Sequence, residues 1–193
     1  MFKLIRRLIS LIIIGHILYI FLLKVVFPPI TITQFNSWRS GEGLQRTYVS
    51  MDKINSSIKW AVIAAEDQKY GSHNGFDFDA IKDIWISGEG LAKKRGGSTI
   101  SQQVAKNVFL WQGKSWLRKG IEAYFTWLIE LIWGKERILE IYLNVIEMGP
   151  GIYGIEAASQ NYFNKSAESI GNQESARIAA SLSNPKDLKV QPP

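Results

Sequence analysis

From Leu8 to Phe27 the chain is apolar almost without interruption. Only Ser10, His16 and Lys24 break the run, and Lys24 lies near its end, where the amine can snorkel outward. At roughly 1.5 Å per residue such a run crosses a hydrocarbon layer of about 30 Å as one helix. A helix satisfies its own backbone there, which an irregular segment cannot. Lys3, Arg6 and Arg7 precede the run. Basic flanks stay on the cytoplasmic side, so the body is expected outside. A cleaved signal peptide is the competing reading, but the run is long and no small-x-small site follows it before Pro28-Pro29. Residues 1–27 are therefore expected to be a cytoplasmic N-terminus and transmembrane anchor. Residues 28–50, with their prolines, Ser/Thr and Gly41/Gly43, read as a linker. Residues 51–193 suffice for one domain with a sizeable core and are too few for two.

Charge sharpens this division. Of the net +6, residues 1–27 supply four charges through Lys3, Arg6, Arg7 and Lys24. Between Gly90 and Ile121 stand Lys93, Lys94, Arg95, Lys106, Lys114, Arg118 and Lys119, with no acid among them. The rest of the body is net acidic, so the basic zone is focused. It suggests a local anionic partner and argues against a general nucleic-acid footprint. The chain has no cysteine, which excludes disulfides and thiolate metal sites.

The stretch Ala61–Phe78, AVIAAEDQKYGSHNGFDF, closes an almost wholly apolar helix running from about Ile58 to Ala65. A helix apolar all round is expected to be buried. It delivers Glu66 and Asp67 to the rim of the core, before a loop with Gly71, His73 and Gly75. Partial desolvation favours a carboxylate's neutral form and suits Glu66 to proton exchange. The bland alternative is a surface salt bridge. A helix over Asp79–Ile86 carries Ile81, Ile84 and Trp85 at helical spacing, as ordinary core or as a greasy lip touching lipid.

Next, Gly96-Gly97-Ser98 leads into a short helix with Ile100, Val104 and Val108 on one face. Thr99, Gln102, Gln103, Lys106 and Asn107 fall largely elsewhere. With Ser98 as N-cap, this entry would leave free backbone N–H groups at the positive dipole end, a natural anion site. The alternative is a capped amphipathic surface helix. Trp116–Trp133 is the longest helix, with a stripe of Leu117, Ile121, Tyr124, Phe125, Leu128, Leu131 and Ile132, and Glu122 on its flank. Arg118 and Lys119 lie one turn before Glu122. They form either an i, i+4 surface pair or a carboxylate held beside cations that grip an anion. Two carboxylates in such different surroundings suggest divided roles. Helices over Lys135–Glu147, Ile155–Phe163 and Gln173–Leu182 follow, and Thr47–Val49 is a candidate strand. Asp52 is a candidate N-cap. Some seven helices and scarcely a strand make the body mostly α.

These residues resemble the peptidoglycan glycosyltransferases over nearly the whole body. Glu66-Asp67-Gln68-Lys69-Tyr70 through His73 and Gly75 is similar to the family's first motif, with Tyr70 where the motif has Phe. Gly96-Gly97-Ser98-Thr99-Ile100-Ser101-Gln102-Gln103 with Lys106-Asn107 resembles the second. Arg118-Lys119-x-x-Glu122 resembles the third, and Arg137-Ile138-Leu139 through Tyr142-Leu143-Asn144 the fourth. Glu156-Ala157-Ala158 with Tyr162-Phe163 resembles the last. The lack of a penicillin-binding domain, with Phe109-Leu110-Trp111 before Gly113-Lys114-Ser115-Trp116, resembles the monofunctional Gram-negative type.

The resemblance implies a lysozyme-like helical fold with a membrane-touching jaw, on the periplasmic side of the inner membrane. It implies polymerisation of lipid II, with Glu66 as general base and with inversion at the anomeric carbon. Glu122, Arg118, Lys119 and Lys106 would position the departing diphosphate, with a divalent metal such as Mg or Mn and no organic cofactor. Ser98, Thr99, Gln102, Gln103, Asn107 and His73 are implied in substrate binding. The implied partners are lipid II, the lipid-linked glycan strand, the membrane and other cell-wall synthesis proteins. Family members carry a further C-terminal helix or two beyond the position of Pro193, so the C-terminus reads as shortened. An anchored muramidase would also use carboxylates on a helical fold, but cleavage of a neutral glycosidic bond has no need of the acid-free zone. A non-enzymatic envelope scaffold is the other alternative, and incubation with lipid II separates it.

Overall fold

The computed structural model describes residues 2–86, 97–113, 115–188 and 190. The bases Lys93, Lys94, Arg95 and Lys114 lie outside the described residues, as do Gly96 and the side chains of Ile84 and Trp85. The apolar run forms α1, Phe2–Leu23, long and apolar enough to cross a membrane. Its last turns are tied to the body. Ile20 and Leu23 are buried, and Trp133 Nε1 donates to the Ile20 carbonyl at 2.9 Å. Arg137 donates to the carbonyls of Leu23 and Val26, which fixes where the chain leaves the helix.

The expected linker is only partly irregular. It contains α2, Ile32–Arg39, opened by a capping box in which Thr31 and Gln34 satisfy one another's backbone N–H. The Thr-x-x-Gln spacing at 31–34 is the signature of that box. A strand β1 follows at Gln45–Arg46, in place of the one expected at Thr47–Val49. Asp52 lies in a single 3-10 turn, Met51–Lys53, and the next helix is capped by Asn55, whose Oδ1 accepts from Ser57 N at 2.9 Å.

That helix, α3 (Ser56–Glu66), is not buried all round. Ile58 and Val62, four residues apart, enter the core beside the helix Asn172–Ser181, while Trp60 is 69% exposed and Ala64 and Ala65 are exposed. A shared apolar character did not require a shared burial, because the small alanines and the amphipathic indole tolerate water. The all-round buried helix is α7, Lys135–Val145, where Ile138, Leu139, Ile141, Tyr142, Leu143 and Val145 are all inside. Around it stand α4 (Phe78–Ile86), α5 (Ile100–Phe109), α6 (Trp116–Ile132), α8 (Ile155–Phe163) and α9 (Asn172–Ser181). β2 (Glu147–Gly149) and β3 (Ile152–Tyr153) form a hairpin, and β1 pairs parallel to β3 on its other side. The architecture is mostly α.

The stripe expected along α6 splits between two faces. Leu128, Ile129, Thr126 and Glu122 are buried, whereas Leu117, Tyr124, Trp127 and Leu131 are exposed. The outward apolar side runs beside α1, where His16 Nε2 and the Tyr124 hydroxyl stand 2.7 Å apart. Tyr70 is buried, and its hydroxyl donates to the Lys135 carbonyl at 2.7 Å, so the oxygen that a Phe would lack is satisfied.

Candidate active site

The site is built on both sides of α5. On one side Glu66 ends α3, half-buried, and its Oε2 accepts from Gln103 Nε2 at 2.7 Å. Among the described residues its other oxygen has no hydrogen-bond partner. Gln103 in turn receives the Tyr142 hydroxyl at 3.4 Å. A cavity of about 280 Å³ opens here, lined by Glu66, Gln68, Lys69, Asp77 and Ser98.

Immediately after Glu66 the chain turns Asp67 inward. Its Oδ2 accepts from Ile100 N at 3.0 Å, and its Oδ1 faces His73 Nε2 at 2.9 Å. The expected anion site at the start of α5 is therefore filled by the protein's own carboxylate. Ser98 is not the cap either. Thr99 is, with its Oγ1 accepting from Gln102 N and Gln102 Oε1 accepting from Thr99 N. Thr99 Oγ1 also donates to the Gly75 carbonyl at 2.7 Å. Gly75 has φ +89°, and a Cβ there would meet Thr126 Cγ2 at 2.8 Å, so the loop closes on α6 only with glycine. His73 and Gln102 thus brace the wall from behind, while Thr99 and Ser98 line the cavity, and Ser98 alone of the four is exposed. His73 also keeps Nδ1 buried without a partner.

On the other side of α5, Glu122 is 3% exposed, on the inner face of α6 and not on a flank. Its Oε2 accepts from Arg118 Nη1 at 2.8 Å and its Oε1 from Lys119 Nζ. Glu122 is buried and Arg118 nearly so, unlike an ordinary i, i+4 surface pair, while the Lys119 side chain is 45% exposed. Among the described residues Arg118 Nε is buried and has no hydrogen-bond partner. Burial holds the Lys106 ammonium below the usual lysine range, with Arg118 and Lys119 acting in the same sense and Glu122 and Glu66 against it. Lys106 therefore lies within electrostatic reach of both carboxylates. Asn107, buried, is tied to the Gln103 carbonyl at 2.9 Å.

A cavity of about 540 Å³ adjoins Lys106, lined by it with Gln103 and Asn107, together with Thr33, Asn36 and Ser37 of α2 and by Glu147 and Lys186. None of the last five was singled out by the sequence pattern. The capping spacing at 31–34 was the available signal for α2, and the rest are brought in by tertiary packing. Gln103 joins the two cavities, bonded to Glu66 on one side and lining the other. For a divalent ion such as Mg or Mn the described residues bring no ready-made cluster of ligands. Among the described residues no three His, Asp or Glu side chains converge, and both Glu122 oxygens are already engaged.

The family model described as Transglycosylase matches residues 32–192. Relatives named biosynthetic peptidoglycan transglycosylase include that of Caulobacter vibrioides, 49% identical over 179 residues, which covers 93% of this chain and 78% of the relative. That of Shewanella oneidensis is 50% identical over 171 residues, covering 88% and 69%. The protein of Bdellovibrio bacteriovorus is 48% identical over 181 residues, covering 90% and 72%.

Proposed function

The chain belongs to the transglycosylase family, with its mostly helical, lysozyme-like fold, and from this premise we propose how it works as a peptidoglycan glycosyltransferase. It polymerises lipid II into glycan strands. The observation that carries this reading is the grouping around α5 of the half-buried Glu66, held by Gln103, and of Arg118 and Lys119 about the buried Glu122, with Lys106 within electrostatic reach of both carboxylates.

Glu66 is the general base. It takes the proton from the acceptor sugar's 4-hydroxyl, and that oxygen bonds to the anomeric carbon of the lipid-linked donor from the face opposite the diphosphate. The anomeric carbon–oxygen bond breaks, its electron pair leaves with undecaprenyl diphosphate, and configuration inverts. Lys106, Lys119 and Arg118 meet the charge that develops on the leaving group. Glu122 acts through its neighbours, holding the Arg118 guanidinium and the Lys119 amine in place. No step is routed through a metal.

The test is formation of glycan polymer from purified lipid II by the full-length chain, followed across pH. Because burial depresses the Lys106 ammonium, its charge is lost as pH rises through a value below that of a free lysine. Activity should therefore fall early on the alkaline side. In the folded state this same depression works against the charged amine, so stability rises with pH in that window while activity falls. Lys106→Arg keeps the charge to higher pH and should move the alkaline limb upward. An unmoved limb would remove Lys106 from the diphosphate site, and no polymer at any pH would sink the function.

Topology follows from Lys3, Arg6 and Arg7 ahead of the span. We place the catalytic body on the periplasmic side of the inner membrane, where the acceptor strand grows. A reporter fused after Pro193 should be active there and silent in the cytoplasm, and a cytoplasmic signal would overturn both orientation and function.

A further inference from the structure

Helix α2 is inside out. Its inward residues are polar, with Gln34 and Ser37 buried and Thr33 half-buried. Its outward stripe is apolar: Ile32, Phe35 and Trp38, three residues apart, are exposed, and Trp38 is 60% exposed. The rings of Phe35 and Trp38 lie against one another, centroids 5.8 Å apart. The helix carries no acid, and Arg39 sits exposed in its last turn. A water-facing helix has the opposite pattern.

Where α2 sits tells what covers it. Gln112 Nε2 donates to Thr33 Oγ1 in its first turn at 2.6 Å. Phe109, three residues before Gln112, meets Tyr19 edge-on with centroids 6.2 Å apart. Tyr19 lies one turn inside the outer end of α1. The first turn of α2 is therefore linked, through Gln112 and Phe109, to the last turns of α1. The intervening chain is fixed as well, with Arg137 holding the Leu23 and Val26 carbonyls and the Tyr48 hydroxyl donating to the Pro28 carbonyl at 2.8 Å.

We propose that α2 is an interfacial helix whose Ile32, Phe35 and Trp38 dock into the headgroup–acyl boundary of the bilayer beside α1. An aromatic pair next to a cation is the side-chain set that this boundary takes up, and Arg39 there reaches lipid phosphates. The face continues the surface already committed to lipid by the span. Its polar side, Thr33, Asn36 and Ser37, walls the larger cavity. On the function proposed above, docking sets the mouth of the diphosphate site at the depth of a membrane-borne diphosphate.

The chain has no cysteine, so single labels can be placed cleanly. Phe35→Cys and Trp38→Cys, made in the full-length protein in phospholipid vesicles and labelled with a nitroxide, are read by collision with oxygen and with a water-soluble nickel complex. Ile12→Cys in the span and Glu168→Cys on the exposed body give the two limits. The ratio of oxygen to nickel collisions at 35 and 38 should exceed that at 168 several-fold and fall below that at 12. Ratios equal to that at 168 would overturn the docking. So would labels shielded from both reagents, since these mean a protein partner or a second copy. Depth is read without turnover: a chain that docks yet makes no polymer overturns the proposed function and leaves the docking standing.

Discussion

Glu66→Gln is expected to lower lipid II polymerisation by about 10²–10⁴-fold, the usual cost of removing a general base. The substitution leaves the surroundings nearly intact. Gln103 Nε2 now donates to Glu66 Oε2 and can donate to the new amide oxygen in the same place. The neutral side chain is no harder to keep half-buried than the carboxylate. Circular dichroism and lipid II binding should therefore match the parent while the rate collapses. A solvated surface glutamate would show almost no effect. If the folded variant works within about threefold of the parent, Glu66 is not the base.

The same corner shows what the sequence can and cannot disclose. Helix positions were legible because apolar spacing and helix length are local properties, as in α6, whose expected Trp116–Trp133 became Trp116–Ile132. The grouping of Glu66, Gln103 and Lys106 around α5 was legible only through ordered motifs. What escaped was the direction in which each side chain faces. Asp67 stands next to Glu66 yet turns inward, because the start of α5 offers it the Ile100 amide and His73 a ring nitrogen. No local pattern says that an acid will be consumed by a helix end thirty-odd residues later. The bonds that tie His73 and Gln102 into the wall of the cavity at Glu66 escape the sequence for the same reason.

Exposure was misjudged in the same manner. On α6 and α2, apolar periodicity identifies a face but not its neighbour, and lipid and core make the same demand of a side chain. Leu117 and Leu131 belong to the apolar stripe and are exposed, on a helix that runs beside α1. Conversely, Glu122 read as a flank and is inside. Its burial became visible only when α5 and α7 were packed against α6.

Burial of Glu122 also changes what is expected of Arg118→Ala. A surface i, i+4 pair would lose about 0.2–0.5 kcal/mol and no turnover. Here the guanidinium partners a carboxylate that is 3% exposed, and only Lys119 remains to hold it. Leaving a buried charge half-satisfied should cost about 1–3 kcal/mol of stability, more than a surface pair and less than loss of every partner. Turnover should fall further, by about 10²–10³-fold, as when one donor to a developing oxyanion is removed. The two effects are separable by assaying well below the unfolding midpoint, with thermal unfolding measured in the same detergent. Arg118→Lys restores the charge but not the planar fork that binds Glu122 through Nη1 and holds further N–H donors for the leaving group. It should therefore recover stability better than rate. Equal recovery of both would mean that Arg118 serves only to neutralise Glu122, and normal turnover in Arg118→Ala would remove it from the reaction altogether.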